Sequence, residues 1–192
     1  MSKHIGVIRG IGLLAVTFML ATALAGLTAP PQALAESGAG LQEDAEAALK
    51  KLYEHTPSAK LLGEHAKAIL VFPSIVKGAF IVGAQYGQGV LFERGKRVGF
   101  YNSVAASYGF QAGVDAFAYA LFLMKDAAVK YLDKSDGWEI GVGPTVVVVD
   151  EGFAKTLTTT TMKDDVYAFI FSQKGLMAGI GIQGSKITKI HK

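Results

Sequence analysis

Three stretches of this chain hold residue types suited to chemistry. Gly179-Ile180-Gly181-Ile182-Gln183-Gly184 spells G-x-G-x-x-G. That loop cradles a dinucleotide pyrophosphate when a helix follows it and an acidic residue stands about 20 positions further on. Eight residues follow Gly184 in the 192-residue sequence, too few for that helix and acid, so a glycine-rich strand is the expected reading. His55 and His65, beside Glu54 and Glu64, form the one grouping with metal-ligand character. They straddle Pro57 and lack the i, i+4 spacing that sets two ligands on one helix face, so they read as surface helix positions, with no metal expected. Asp164-Asp165 pairs two carboxylates, but adjacent side chains point apart and a solvated turn is expected. The chain has no cysteine and no G-x-S-x-G elbow. With no acid, base and oxyanion donor to assemble, the expectation is a protein without catalysis or cofactor.

The remaining candidates are basic: Lys50, Lys51, Lys60, Lys67, Lys77, Arg94, Lys96 and Arg97. Charges at turns and strand ends blunt sheet edges. The same cations could hold lipid phosphates, each contributing on the order of 1 kcal/mol near an anionic surface. That second role requires a shared face, which spacing leaves open.

The elements that must position them begin with a basic start, Lys3 and Arg9, and an apolar run from Ile11 to Leu27. Pro30-Pro31 and the small-x-small signature Ala33-Leu34-Ala35 follow. Residues 1–35 are expected to be a secretory signal peptide cleaved near Ala35, the alternative being a retained membrane anchor. The domain is then 36–192, periplasmic or secreted. Removing Lys3 and Arg9 from the 19 basic residues leaves 17 against 16 acidic ones. The pI near 9.0 therefore overstates the basicity of the domain, and no basic stripe points to nucleic acid. Without cysteine, a disulfide framework and a lipid-modified N-terminus are excluded.

Leu41, Ala45, Ala48, Leu49 and Leu52 recur at helical spacing, predicting an amphipathic helix over 41–55. Ser58 is the expected N-cap of a shorter helix over 59–65. A strand over 68–72 is expected to stop at Pro73. From Ala79 to Glu93, bulky residues sit at even positions (Phe80, Val82, Tyr86, Val90, Phe92) with Gly83, Gly87 and Gly89 among the odd ones. This predicts a strand with a core-building face and a bare face. Arg94-Gly95-Lys96-Arg97 is the turn into a strand from Val98. The glycine interleaving returns at 138–143 and 176–182. The bare face is expected to admit the helix Leu41–Tyr53, or a lipid chain when that helix lifts.

Beyond Asp115, periodicity does not separate buried strand from helix. A helix over 126–132, a strand over 138–149 through Pro144, a threonine-rich strand or linker over 156–161, and a terminal hairpin of 166–172 with 176–190 complete the reading. The fold expected is α+β: a bent antiparallel sheet or partly closed barrel of about seven to eight strands, with two to three packed helices.

Four blocks then carry a resemblance. Ala66-Lys67-Ala68-Ile69-Leu70-Val71-Phe72-Pro73, Gly83-Ala84-Gln85-Tyr86-Gly87-Gln88-Gly89-Val90-Leu91, Ser107-Tyr108-Gly109-Phe110-Gln111-Ala112-Gly113 and the run Lys174 to Ser185 appear in the order of the SYLF domain family. The chain resembles that family, found in eukaryotic adaptors and in many secreted bacterial proteins. The resemblance implies binding of acidic phospholipids, notably phosphoinositides, through an N-terminal amphipathic helix and nearby basic residues. Here that helix would present Leu41, Ala45, Leu49 and Leu52 to a membrane, with a polar face mixing Glu43, Asp44 and Glu46 with Lys50 and Lys51. Gln183 stands where the family often has a glutamate. Yeast members bind actin; in a secreted bacterial-type protein actin is not an expected partner, whereas a phospholipid or membrane surface is. The alternatives are a structural or stress-related envelope protein acting through protein contacts, and a small outer-membrane β-barrel.

Overall fold

The computed structural model describes residues 37–79, 82–108, 113–134, 137–172, 175–177, 182 and 184–192. The expected signal peptide, together with Phe80, Phe110, Gly179, Gly181 and Gln183, lies outside the described residues.

Two helices open the domain, α1 (Gly38–His55) and α2 (Pro57–His65). Strands β1 (Ala68–Ala79), β2 (Val82–Glu93), β3 (Lys96–Tyr108) and β4 (Gly113–Leu123) follow as a meander. Then come α3 (Asp126–Leu132), β5 (Trp138–Glu139), β6 (Val146–Val149), α4 (Glu151–Ala154), β7 (Val166–Ser172), β8 (Gly175–Leu176) and β9 (Lys186–Ile190). The strands join in the order β5-β9-β3-β2-β1-β4-β7-β6, with β8 on β7. All pairs are antiparallel except β6 with β7. The fold is α+β, as the sequence predicts, and the sheet curls into a half-barrel.

Connectivity explains the curl. β5 and β6 stand at opposite ends of the order, yet follow one another in sequence. Seven steps of a flat sheet span roughly 34 Å at about 4.8 Å each. The chain from Glu139 to Val146 reaches about 25 Å when fully extended. A flat sheet cannot be bridged by that segment, so the sheet bends. It stays open, since β5 and β6 do not pair among the described residues. One face is also covered by the helices α1 and α2.

Both faces are apolar. On one, Leu70, Phe72, Ile75, Tyr119, Leu121 and Trp138 pack with Ala128 and Leu132 of α3. On the other, Leu41, Ala45 and Leu52 of α1 and Ala59 and Leu62 of α2 pack on Val71, Val90, Phe122 and Phe169. Strands buried on both faces read as continuous apolar runs, which is why periodicity fails across β4.

Several sequence expectations need correction. β1 does not stop at Pro73. Its ladders shift register there, between Val71 and Ser74 toward β2 and between Phe72 and Ile75 toward β4. Proline has no N–H to donate, so a central strand tolerates it at a bulge. The strand expected over 138–149 is two short strands, because Gly141 (φ 108°) and Gly143 (φ 90°) turn the chain between them. The terminal hairpin holds for β8, but β9 crosses to pair with β3 and β5. The 156–161 stretch is a turn.

Nor does α1 lie on the glycine face. A Cβ at Gly89 would stand 2.6 Å from the Val71 carbonyl oxygen and 2.7 Å from Phe72 Cδ1, and one at Gly87 would strike Ile75 and the Ser74 carbonyl. The element approaching these glycines is the bulged strand β1, while α1 covers the opposite face at Val90 and Phe92. Beyond the reach of α1 that face is open, and Tyr86 is 44% exposed.

Asp164 and Asp165 are partnered rather than merely solvated. Asp165 accepts from the Thr145 N–H (2.9 Å) and hydroxyl (3.0 Å) and pairs with Lys125 at 2.7 Å; Asp164 accepts from the Tyr167 hydroxyl. These bonds clamp the start of the parallel β6–β7 pair, Val146 against Val166. Lys125, then the Thr145 N–H, hold the Asp165 carboxyl below its usual range. A depressed folded-state pKa contributes stability that is complete above the unfolded value of about 3.9 and lost as pH falls through the folded one. Asp165→Asn is therefore expected to lower the melting temperature at pH 7, with the difference from the parent protein shrinking as pH falls below about 3.9. Melting curves across that range check it.

Candidate functional site

The end of the sheet carrying the β2–β3 turn gathers part of the basic set. Arg94 (φ 50°) and Gly95 (φ 76°) are both left-handed, the geometry of a two-residue hairpin loop that matches strand twist. Glycine or asparagine normally fills such positions. Arg94 is the one non-glycine residue with positive φ among those described, a conformation that costs an L-residue roughly 1–2 kcal/mol.

Arg94 stands where two depressions meet. One is a groove of about 380 Å³ with walls that include Leu49 and Tyr53 of α1, Ala66, Ile69 and Phe92, and with Lys50 and Arg94 among its charged residues. Burial, with a smaller contribution from Glu64, pushes the Tyr53 hydroxyl up to about 12. The other is a cleft of about 1010 Å³ that brings Lys67, Arg94, Lys96 and Lys130 together with Glu64, Glu93 and Asp126. Four cations against three carboxylates make a mixed site, with the arginine at its shared edge.

Lys50, Lys67, Arg94 and Lys96 are thus brought together, and Lys50 is loosely paired with Glu54 at 4.0 Å. The other four candidates are not. The Arg97 guanidinium lies 4.9 Å from the Phe100 ring centroid. Lys77 is near the far end of β1, opposite Gln85 and Asp115 in register. Lys51 borders a niche beside Phe171 and Ser172, and Lys60 is exposed on α2. Lys130 joins the cleft without having been singled out, because its approach depends on where α3 packs. Of the helix face expected to meet a membrane, Leu41, Ala45 and Leu52 are buried against the sheet. Leu49 alone of the four lines the groove.

His55 and His65 turn back on their own helices. Their Nδ1 atoms lie 2.8 Å and 2.9 Å from the Lys51 and Leu61 carbonyl oxygens. Each imidazole therefore closes onto the last turn of its own helix, at the carbonyl four residues back.

An α+β half-barrel with a helix-covered face and a cationic turn defines the class of this domain. Residues 104–192 match the family model Ysc84, described as Las17-binding protein actin regulator, which is the SYLF family. No curated protein matches the chain. The family is described as binding lipid and actin. The matched residues begin within β3, so they include Lys130 but neither α1 nor the Arg94 turn.

Proposed function

We propose that this chain is a non-catalytic lipid-binding module of the cell envelope that takes anionic phospholipid at the turn end of its sheet. The observation carrying this reading is Arg94, held left-handed at the junction of an apolar groove and a cationic cleft. Strained backbone kept at a ligand-sized depression is a mark of function. In this reading Arg94 and Lys50 meet the phosphate, Lys67, Lys96 and Lys130 add attraction, and Leu49, Tyr53 and Phe92 contact the first carbons of a chain. The signal-like N-terminus supports the envelope location. That location in turn argues against actin as the partner, despite the description of the matching family.

Co-sedimentation with vesicles of phosphatidylglycerol, cardiolipin or phosphoinositide in phosphatidylcholine tests this. Binding is expected at low salt and should weaken as salt rises. Arg94→Gly is the decisive variant, because glycine suits the left-handed turn. The folded state should hold or gain stability while vesicle affinity falls about five-fold, the equivalent of one cation at roughly 1 kcal/mol. Unchanged binding by Arg94→Gly would remove Arg94 from the site. No vesicle binding by the parent protein would overturn the lipid reading in favour of an envelope protein acting through protein contacts. Pelleting with actin filaments would overturn the choice of partner.

A further inference from the structure

A separate cavity of about 590 Å³ lies where the α1–α2 junction meets α4 and β8. Its apolar side is Pro57, Leu61, Ala154, Leu157 and Leu176. Its polar side includes two hydroxyls, Thr56 and Ser58, whose residues are 5% and 9% exposed. Thr56 is the N-cap residue of α2, where a threonine side chain normally accepts from a backbone N–H, yet it makes no such bond. Among the described residues neither hydroxyl has a hydrogen-bond partner, although buried hydroxyls nearly always do. Both residues are more than nine-tenths enclosed and both line the cavity.

The backbone adds to the same demand. α2 begins at Pro57, which has no N–H, and the Ala59 N–H already bonds the Thr56 carbonyl at 3.0 Å. In the first turn of α2 that leaves the Ser58 N–H beside its own hydroxyl. Lys155 supplies a cation at the wall, opposed by Glu151. Gly175 lines the cavity with open space where a Cβ would stand.

We infer that this cavity binds a single-chain amphiphile with an oxyanion head. Thr56, the hydroxyl and N–H of Ser58, and Lys155 receive the head. Leu61, Leu157 and Leu176 receive the chain. This site does not depend on the cleft around Arg94, and it takes one molecule rather than a membrane surface.

Calorimetric titration of the protein with dodecanoate and dodecyl phosphate, both below micelle formation, tests the inference. Saturable binding of one molecule per chain is expected for at least one of them. Acetate and inorganic phosphate lack the chain and dodecanol lacks the anion; each should bind at least ten-fold more weakly. Preference for dodecanoate identifies a fatty acid as the source of the head, and preference for dodecyl phosphate a lysolipid. Thr56→Val, at a position without a cap bond to lose, should weaken binding about ten-fold, and Ser58→Ala serves as an independent variant. Arg94→Gly should leave this affinity unchanged while lowering vesicle binding. The inference falls if neither amphiphile binds, if dodecanol binds as well as the anions, or if both hydroxyl variants bind like the parent protein.

Discussion

Gly89→Ala is expected to be among the most damaging single-methyl changes in this domain, costing about 2–3 kcal/mol. The added carbon would stand 2.6 Å from the Val71 carbonyl oxygen and 2.7 Å and 2.9 Å from Phe72 ring carbons. None of these atoms can retreat easily. The Val71 carbonyl belongs to a ladder fixed on both sides, to Val90 of β2 and Ala120 of β4. Phe72 is fully buried and its ring lies 4.6 Å, centroid to centroid, from that of Tyr119. Tyr119 in turn donates to the Ser103 hydroxyl at 2.7 Å, and burial raises its own pKa. Displacement would therefore pass through β1, β4 and β3. At roughly 2–4 °C per kcal/mol for a chain of this size, the melting temperature should drop by about 4–12 °C. Urea unfolding with an unchanged slope would show that the loss is in the folded state. In a double variant with Phe72→Leu, the ring contribution should be partly recovered and the carbonyl contribution should persist. If Gly89→Ala unfolds at the parent midpoint, the bulge at Pro73 yields more readily than its two ladders suggest.

This result bears on what the sequence could reveal. The glycine alternation in β2 correctly marks a face approached closely by something else. It cannot say by what, because the answer is a neighbouring strand whose bulge is written at Pro73, sixteen residues before Gly89. The interleaved glycines at 138–143 look alike in sequence but have another cause, positive φ at Gly141 and Gly143, so one letter pattern hides two physical reasons. Helix α1 is legible because one covered face imposes helical spacing. α3 and β7 are legible because each is short and bounded by turn residues. β4 is not, since burial on both faces removes the period. The site follows the same division. Lys50, Lys67, Arg94 and Lys96 are visible as charges, but their meeting depends on the Glu93–Lys96 register and on where α2 ends. Solvated cations leave no periodic trace, so Lys77 at the far end of β1 reads like the four that gather, and Lys130 does not stand out from its helix.

Leu52→Ala is expected to cost about 2–5 kcal/mol, the usual range for emptying a fully buried leucine site. Leu52 is 2% exposed, on the stripe that seats α1 on the sheet. One position along, Tyr53 lies 6.4 Å from the Phe122 ring, which meets Phe169 edge-on at 5.3 Å. Thermal unfolding measures the loss. Vesicle binding by the same variant, below its melting transition, separates two ways of meeting lipid. If α1 must lift to free the sheet face, weakening its seat by about 3 kcal/mol raises the lifted fraction by roughly a hundred-fold, and a ligand of that state gains affinity accordingly. If lipid enters the groove walled by Leu49 and Tyr53, the helix must stay down to form it, and affinity stays level or falls. The second outcome is expected, because the groove and the Arg94 turn complete one another only with α1 in place. A gain in binding by Leu52→Ala would reverse that assignment and make the buried stripe of Leu41, Ala45 and Leu52 the membrane-facing surface.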